Sequence, residues 1–136
     1  MNRMRKVLIA DDEIKVGQLV KRLIQWDRLG LTCIGLVTDG QTAYEKILSE
    51  SPDIVITDIR MPVLTGLEMI QKASEQGVKC HFIVVSGYKY FDYAQKALKY
   101  GVEDYLLKPI DEDELNRQLQ KIVAEEEQRE DKQQQV

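Results

Sequence analysis

Residues 53–58 read DIVITD, a run of apolar and β-branched side chains that closes on a carboxylate, Asp58. A segment so nearly all apolar fits a strand covered by helices on both faces. The same form recurs in three other places: KVLIA runs into Asp11 and Asp12, HFIVV into Ser86, and DYLL into Lys108. If each run is a parallel strand, the downstream ends lie side by side along one edge of the sheet. Three carboxylates, a hydroxyl and an ammonium then converge on one small volume. Carboxylates held together repel one another and raise at least one pKa unless a cation neutralises them. Lys108 and a recruited hard metal ion are the two candidates for that cation, so the pattern predicts a divalent-metal and phosphoryl site.

Between the runs the hydrophobic period changes from strand to helix. The spacing predicts helices over 14–26, 42–49, 67–75 and 91–100 and from 112 onward, alternating with five strands that include TCIGLV. In the first helix Val16, Leu19, Val20, Leu23 and Ile24 mark one buried stripe. Thr65 with Glu68, and Asp111 with Glu114, have the spacing of a capping box and start two of the helices. This βαβ rhythm predicts an α/β fold with a doubly wound parallel sheet. In such sheets ligands bind beyond the carboxyl ends of the strands, where the winding reverses.

Composition narrows the function classes. The 136 residues suit one domain. With 19 Lys and Arg against 23 Asp and Glu, a net charge of −4 and no basic block, the segment is a poor nucleic-acid binder by itself. Apolar runs of about 4 to 6 residues fall far short of the roughly 20 that span a bilayer, and a cytoplasmic protein without membrane contact is expected. Cys33 and Cys80 lack CxxC spacing, and His81 is the one histidine, so sulfur-based metal binding is not expected. Both cysteines read as small buried hydrophobes of a reducing compartment. His81 stands at the upstream end of its run, away from the acidic edge. After Val123 the chain reads AEEEQREDKQQQV, so 1–123 is expected to form the domain and 124–136 a solvated helix end or a linker.

The clustered residues suggest one chemistry. Asp11, Asp12 and Asp58 are hard oxygen ligands of the kind Mg²⁺ takes, and Mg²⁺ commonly shares its remaining positions with water and phosphate. Asp58, ending the central strand, is the natural nucleophile for a phosphoryl group, giving an acyl phosphate. Lys108 and the metal would offset charge on the transferring oxygens, and Ser86 would donate to another of them. Each residue alone has a plainer reading: a strand-end Asp can cap the next helix, Lys108 can be a surface charge, and Ser86 can form a turn before Gly87. Five such positions at four strand ends, in the right order, are hard to obtain from capping habits alone.

The segments ADDE, VITDIRMPVLTGLEMI, VVSGY and YLLKP resemble the motifs of a bacterial response-regulator receiver domain, over about residues 4 to 122. The resemblance implies a flavodoxin-like (βα)5 fold with strand order 2-1-3-4-5. It implies that Asp58 is the phosphoacceptor, that Asp11 and Asp12 form the Mg²⁺-binding pair, and that the main-chain carbonyl of Arg60 adds a metal ligand. It further implies that Ser86 is the switch hydroxyl, Lys108 the phosphoryl-contacting lysine, and Tyr105 an aromatic whose rotamer follows Ser86. Lys108-Pro109 matches a position where the peptide bond is usually cis. A sensor histidine kinase is the implied partner, and a homodimer through the fourth predicted helix, fifth strand and fifth helix is a further expectation.

Departures from the family pattern are mild. Ser86 stands for the commoner Thr, Gly87 for Ala and Thr65 for Asp, and none removes a reacting group. The stretch SGYKYFDYAQKALKYGVEDYLLKP further resembles receivers joined to an AraC-type helix-turn-helix output domain. DNA contact would then belong to that output domain, absent from this segment, and a stand-alone receiver is the alternative. A Mg²⁺-dependent phosphohydrolase with an aspartyl nucleophile is disfavoured because Arg60 stands where the second Asp of its DxD loop belongs. An FMN module is disfavoured because the first strand ends in ADDE, not in a Ser/Thr-rich loop. The module is expected to be catalytic only toward itself.

Overall fold

The computed structural model describes residues 3–87 and 102–134, apart from the side chains of 103 and 134. Five strands carry the fold: β1 (Arg5–Ala10), β2 (Leu31–Val37), β3 (Ile54–Thr57), β4 (His81–Ser86) and β5 (Val102–Leu107). They form one sheet in the order β2-β1-β3-β4-β5, with every neighbouring pair parallel. The described helices are α1 (Ile14–Leu23), α2 (Trp26–Leu29), α3 (Gly40–Glu50), α4 (Gly66–Glu75) and α5 (Glu112–Gln134). The doubly wound α/β fold and its strand order agree with expectation. The fourth predicted helix, 91–100, lies outside the described residues.

Strand periodicity sorts the core into two layers. On one face Val7, Ile9, Ile54, Ile56, Ile83 and Val85 pack against Val20 of α1 and Leu115, Leu119 and Ile122 of α5. On the other, Leu8, Val55, Phe82 and Val84 meet Ala43 and Ile47 of α3 and Met69, Ile70 and Ala73 of α4. β3 is buried at all four of its positions, as its composition requires. Leu19, placed in the apolar stripe of α1, is partly exposed instead. Both cysteines are free and partly buried, and burial pushes the Cys80 thiol up to about 12, so it behaves as a hydrophobe and not as a nucleophile.

The first predicted helix is shorter than its period implies. It ends at Leu23, Ile24 turns extended, and a separate turn, α2, follows. The cause lies on α5, where the buried Asn116 accepts from the Gln25 N–H at 2.9 Å and donates to the Leu23 carbonyl at 2.8 Å. A side chain 93 residues away thus takes up backbone groups that a continuing helix would have paired. The capping box of Thr65 and Glu68 is present in both directions and starts α4 as predicted. Asp111 accepts from the Glu114 N–H at the start of α5.

The loop from β3 to α4 is tightly folded against its neighbours. A Cβ on Gly66 would lie 2.0 Å from the Asp58 carbonyl oxygen, and one on Gly40 would lie 1.8 Å from the Leu64 carbonyl oxygen, so both positions require glycine for close approach. Between them the Leu64 N–H donates to the Pro62 carbonyl at 2.7 Å across Val63, which sits at φ 70. This is the strained form of the γ-turn, and Val63, β-branched and 82% exposed, gains no burial in return. Left-handed backbone costs an L-residue roughly 1–2 kcal/mol, against roughly 0.5–1 kcal/mol of extra chain entropy for glycine. Val63→Gly is therefore expected to stabilise the domain by about 0.5–1 kcal/mol, read from urea unfolding midpoints. A lower midpoint would contradict the strain.

Candidate functional site

Three backbone hydrogen bonds continue the parallel ladders one residue past the strands. Asp11 N–H donates to the Val37 carbonyl, Asp58 N–H to the Ala10 carbonyl and Lys108 N–H to the Ser86 carbonyl, at 3.0, 2.9 and 3.0 Å. The ladder itself, not loop geometry, thus delivers two carboxylates and the lysine to one edge. Asp11 and Asp58 are 5% and 6% exposed. The Lys108 ammonium lies between them, donating to Asp58 Oδ2 at 2.8 Å and to Asp11 Oδ2 at 3.1 Å. The remaining oxygens are held by the main chain: Asp58 Oδ1 accepts from the Ile59 N–H at 2.7 Å, and Asp11 Oδ1 from the Glu13 N–H at 2.9 Å. Lys108-Pro109 is cis.

Asp12, Asp58, Arg60, Ser86 and Lys108 line a cleft of about 430 Å³ together with Glu13 and Gly87. The buried Ser86 ends β4 on one side of it. Beside it, Tyr105 donates its hydroxyl to the Gly87 carbonyl at 2.7 Å. Burial raises the Tyr105 pKa and the Asp58 charge adds to this, while a hydrogen bond from Ser86 opposes both. All seven residues singled out in the sequence therefore meet at one edge. Glu13 was not singled out, yet its carboxylate lies with those of Asp11 and Asp12 within a 4.8 Å spread. Its signal was the third acidic letter of ADDE.

Burial would lower the Lys108 pKa, but the hydrogen bonds and charges of Asp58 and Asp11 hold it above its ordinary value. Burial raises the Asp11 carboxyl, and the Asp58 charge adds to this, against the lowering pull of the Glu13 N–H and Lys108. A raised folded pKa contributes stability below the ordinary carboxylate range, and that contribution is lost as pH rises through the folded value. Asp11→Asn is accordingly expected to make the metal-free domain more stable than the parent at neutral pH, with the gain fading below about pH 4. Denaturant unfolding in chelator at both pH values checks this, and a less stable variant at neutral pH would refute it.

The donor set suits a hard divalent cation. The carboxylates of Asp11, Asp12 and Glu13 lie together, Lys108 joins Asp58 to Asp11, and among the described residues no sulfur or imidazole belongs to this group. None of the described helices is long and apolar enough to cross a membrane.

Comparison with known proteins places the chain in a family. The family model described as response regulator receiver domain matches residues 7–120. The chain is 46% identical over 122 residues to the transcriptional regulatory protein YesN of Bacillus subtilis, covering 90% of this chain and 33% of that one. The receiver domain of the response regulator AraT from Geobacillus stearothermophilus superposes with a TM-score of 0.88 at 36% identity, covering 93% of this chain and 98% of that one. A two-component transcriptional regulator AraC from Clostridium phytofermentans gives a TM-score of 0.80 at 30% identity, covering 88% and 93%. The chain spans about a third to a half of the length of the curated relatives it matches. With its sheet order, its acidic strand ends and a family match over most of its length, the chain belongs to the response regulator receiver domain family and is the receiver domain of a two-component response regulator.

Proposed function

We propose that Asp58 accepts a phosphoryl group from the phosphohistidine of a sensor kinase and that the resulting acyl phosphate biases the conformation of the domain. The observation that carries this reading is the holding of Asp58. One oxygen is fixed by the Ile59 N–H and the other faces the Lys108 ammonium, at the mouth of a cleft open to a phosphoryl donor. In the transfer a carboxylate oxygen of Asp58 bonds to phosphorus, the phosphorus–nitrogen bond breaks, and the imidazole leaves with the electron pair. Lys108, within hydrogen-bond reach of the attacking carboxylate, offsets charge on the transferred oxygens. Ser86, on the facing strand end, donates to another of them. The chain acts as a substrate of the kinase and as a catalyst only toward itself.

Asp11, Asp12 and Asp58, with the carbonyl of Arg60, are the residues that would hold Mg²⁺. When bound, the ion supplies positive charge against the phosphoryl oxygens and the acidic cluster. The reading is tested by incubating the protein with acetyl phosphate, with Mg²⁺ or with chelator, and measuring intact mass. A gain of one phosphoryl group that needs the cation is expected, and no gain in either arm would overturn it.

The output is read from the relatives' names. YesN and the Clostridium protein are called transcriptional regulators, the latter of AraC type, and this supports a helix-turn-helix output joined to the receiver. DNA would be contacted by that output and not by this acidic segment. The receiver unit is taken as 1–123 and residues 124–136 as the connection beyond it. Phosphorylation would act through Ser86 and Tyr105 on the surface that includes β5 and α5, favouring self-association there. The cytoplasm is the compartment such a partner set requires.

A further inference from the structure

The last turns of α5 reach back to the sheet through charged side chains. Residues 124–134 read AEEEQREDKQQ, without a large apolar side chain, yet two of their carboxylates are taken up by the upstream edge of the sheet, opposite the Asp58 cluster. Glu126 is 7% exposed, and its Oε1 lies 2.5 Å from Nε2 of His81, the first residue of β4. Arg129, three residues on, donates to both of its oxygens at 3.0 and 2.9 Å. Glu130 accepts from Arg5 Nη2 at 2.9 Å, and Arg5, the first residue of β1, is 2% exposed. The spacing of four puts Glu126 and Glu130 on one face of the helix. Burial would raise the Glu126 carboxyl, but His81 and Arg129 hold it below the ordinary carboxylate range. Arg3 pairs with Asp53, just upstream of β3, on the same edge.

We propose that the upstream edge of the sheet is an intramolecular docking site for residues 124–134, a charge latch of Arg5 and His81 against Glu126 and Glu130 that fixes the direction in which α5 leaves the domain. The segment continues α5 from its packed part and needs no nucleus of its own, but it has no large apolar side chain to hold it against the sheet. Its hold is therefore electrostatic, and it is two-sided, because Arg5 buried without Glu130 would be an uncompensated charge. The two anchors sit on β1 and β4, which β3 separates, so the latch fixes the angle of the helix and not merely one point along it. While latched, the segment gives its inward carboxylates to its own sheet and does not offer them to a second copy.

Hydrogen exchange of the 136-residue protein, resolved by peptide mass, tests the latch. Glu126→Ala with Glu130→Ala is the decisive variant, since alanine is the best helix former and cannot weaken the segment through propensity. Amides of 124–134 are expected to exchange roughly tenfold faster, the factor that corresponds to about one charged hydrogen bond, with α1 unchanged and a smaller rise at β1, where Arg5 loses its partner. Glu127→Ala, on the exposed side, should leave exchange as it is. Arg5→Met, which keeps the buried stem, should free the turn around Glu130 from the strand side. Unchanged exchange in the double variant overturns the latch. Exchange raised equally through β1 and β4 also overturns it, because the same residues would then be holding the core and not the exit helix.

Discussion

Asp58→Asn is expected to abolish phosphoryl uptake under conditions in which the parent protein gains one phosphoryl group. Asparagine keeps the shape of the side chain, and its carbonyl oxygen can still accept from the Ile59 N–H that now holds Asp58 Oδ1 at 2.7 Å. What it lacks is the anionic oxygen beside Lys108 that forms the bond to phosphorus. The variant should also fold. Removing the Asp58 charge relieves one of the two contributions that push the Asp11 carboxyl up, and Lys108 keeps Asp11 as a partner. A negative result is thus interpretable when a thermal melt or circular dichroism confirms the fold. Acetyl phosphate, Mg²⁺ and intact-mass measurement on parent and variant decide it. Equal uptake in the two would move the acceptor to another residue and remove the central assignment.

How much of this could be read from the sequence depends on the range of the physics involved. β3 was legible because a strand buried on both faces must be apolar throughout, and DIVITD allows nothing else. The site was legible for the same reason, since parallel strands end on one edge and a residue's place after its run fixes its place in space. Glu68 and Thr65 announced α4 because a capping box is local. The break at Ile24 was not legible, because its cause, Asn116, lies on another helix and competes for backbone groups that local periodicity assigns to α1.

The two contacts that the C-terminal turns make with the sheet were not legible for a related reason. Periodicity counts apolar residues, and 124–134 has almost none, but Glu126 and Glu130 dock by charge against Arg5 and His81. Nothing in the residues around Arg5 marks it for burial, and only the fold turns it into a buried cation in need of a carboxylate. The left-handed Val63 was equally hidden, since a valine in that conformation is imposed by the loop's closure on Gly40 and Gly66 and not by its own preference.

Lys108→Met is expected to cost the metal-free domain about 2–3 kcal/mol at neutral pH, and Mg²⁺ is expected to restore most of the loss. Methionine preserves much of the apolar stem, so the change isolates the ammonium. Without it the Asp11 and Asp58 side chains, 4% and 7% exposed, face each other with no cation between them. Breaking a buried pair from one side costs about 3–5 kcal/mol, and the 23% exposure of the Lys108 side chain reduces that through solvent screening. The Lys108 pKa is raised in the fold, so its contribution is fully present below its ordinary value and is lost only as pH rises through the folded one. The variant's deficit should accordingly be steady through the neutral range and shrink in acid, where Asp11 takes up a proton and the repulsion ends. One more net negative charge on the cluster should tighten divalent binding, and binding to the folded state alone stabilises it by mass action. Urea unfolding of parent and variant, each in chelator and in excess Mg²⁺, separates these contributions. Equal deficits in the two media would show that ammonium and metal neutralise different charges, and no deficit in chelator would show that Asp11 and Asp58 are already neutralised by another route. Recovery by Mg²⁺ would instead mean that both cations act on one shared excess of negative charge, the condition under which a phosphoryl group can be drawn to Asp58.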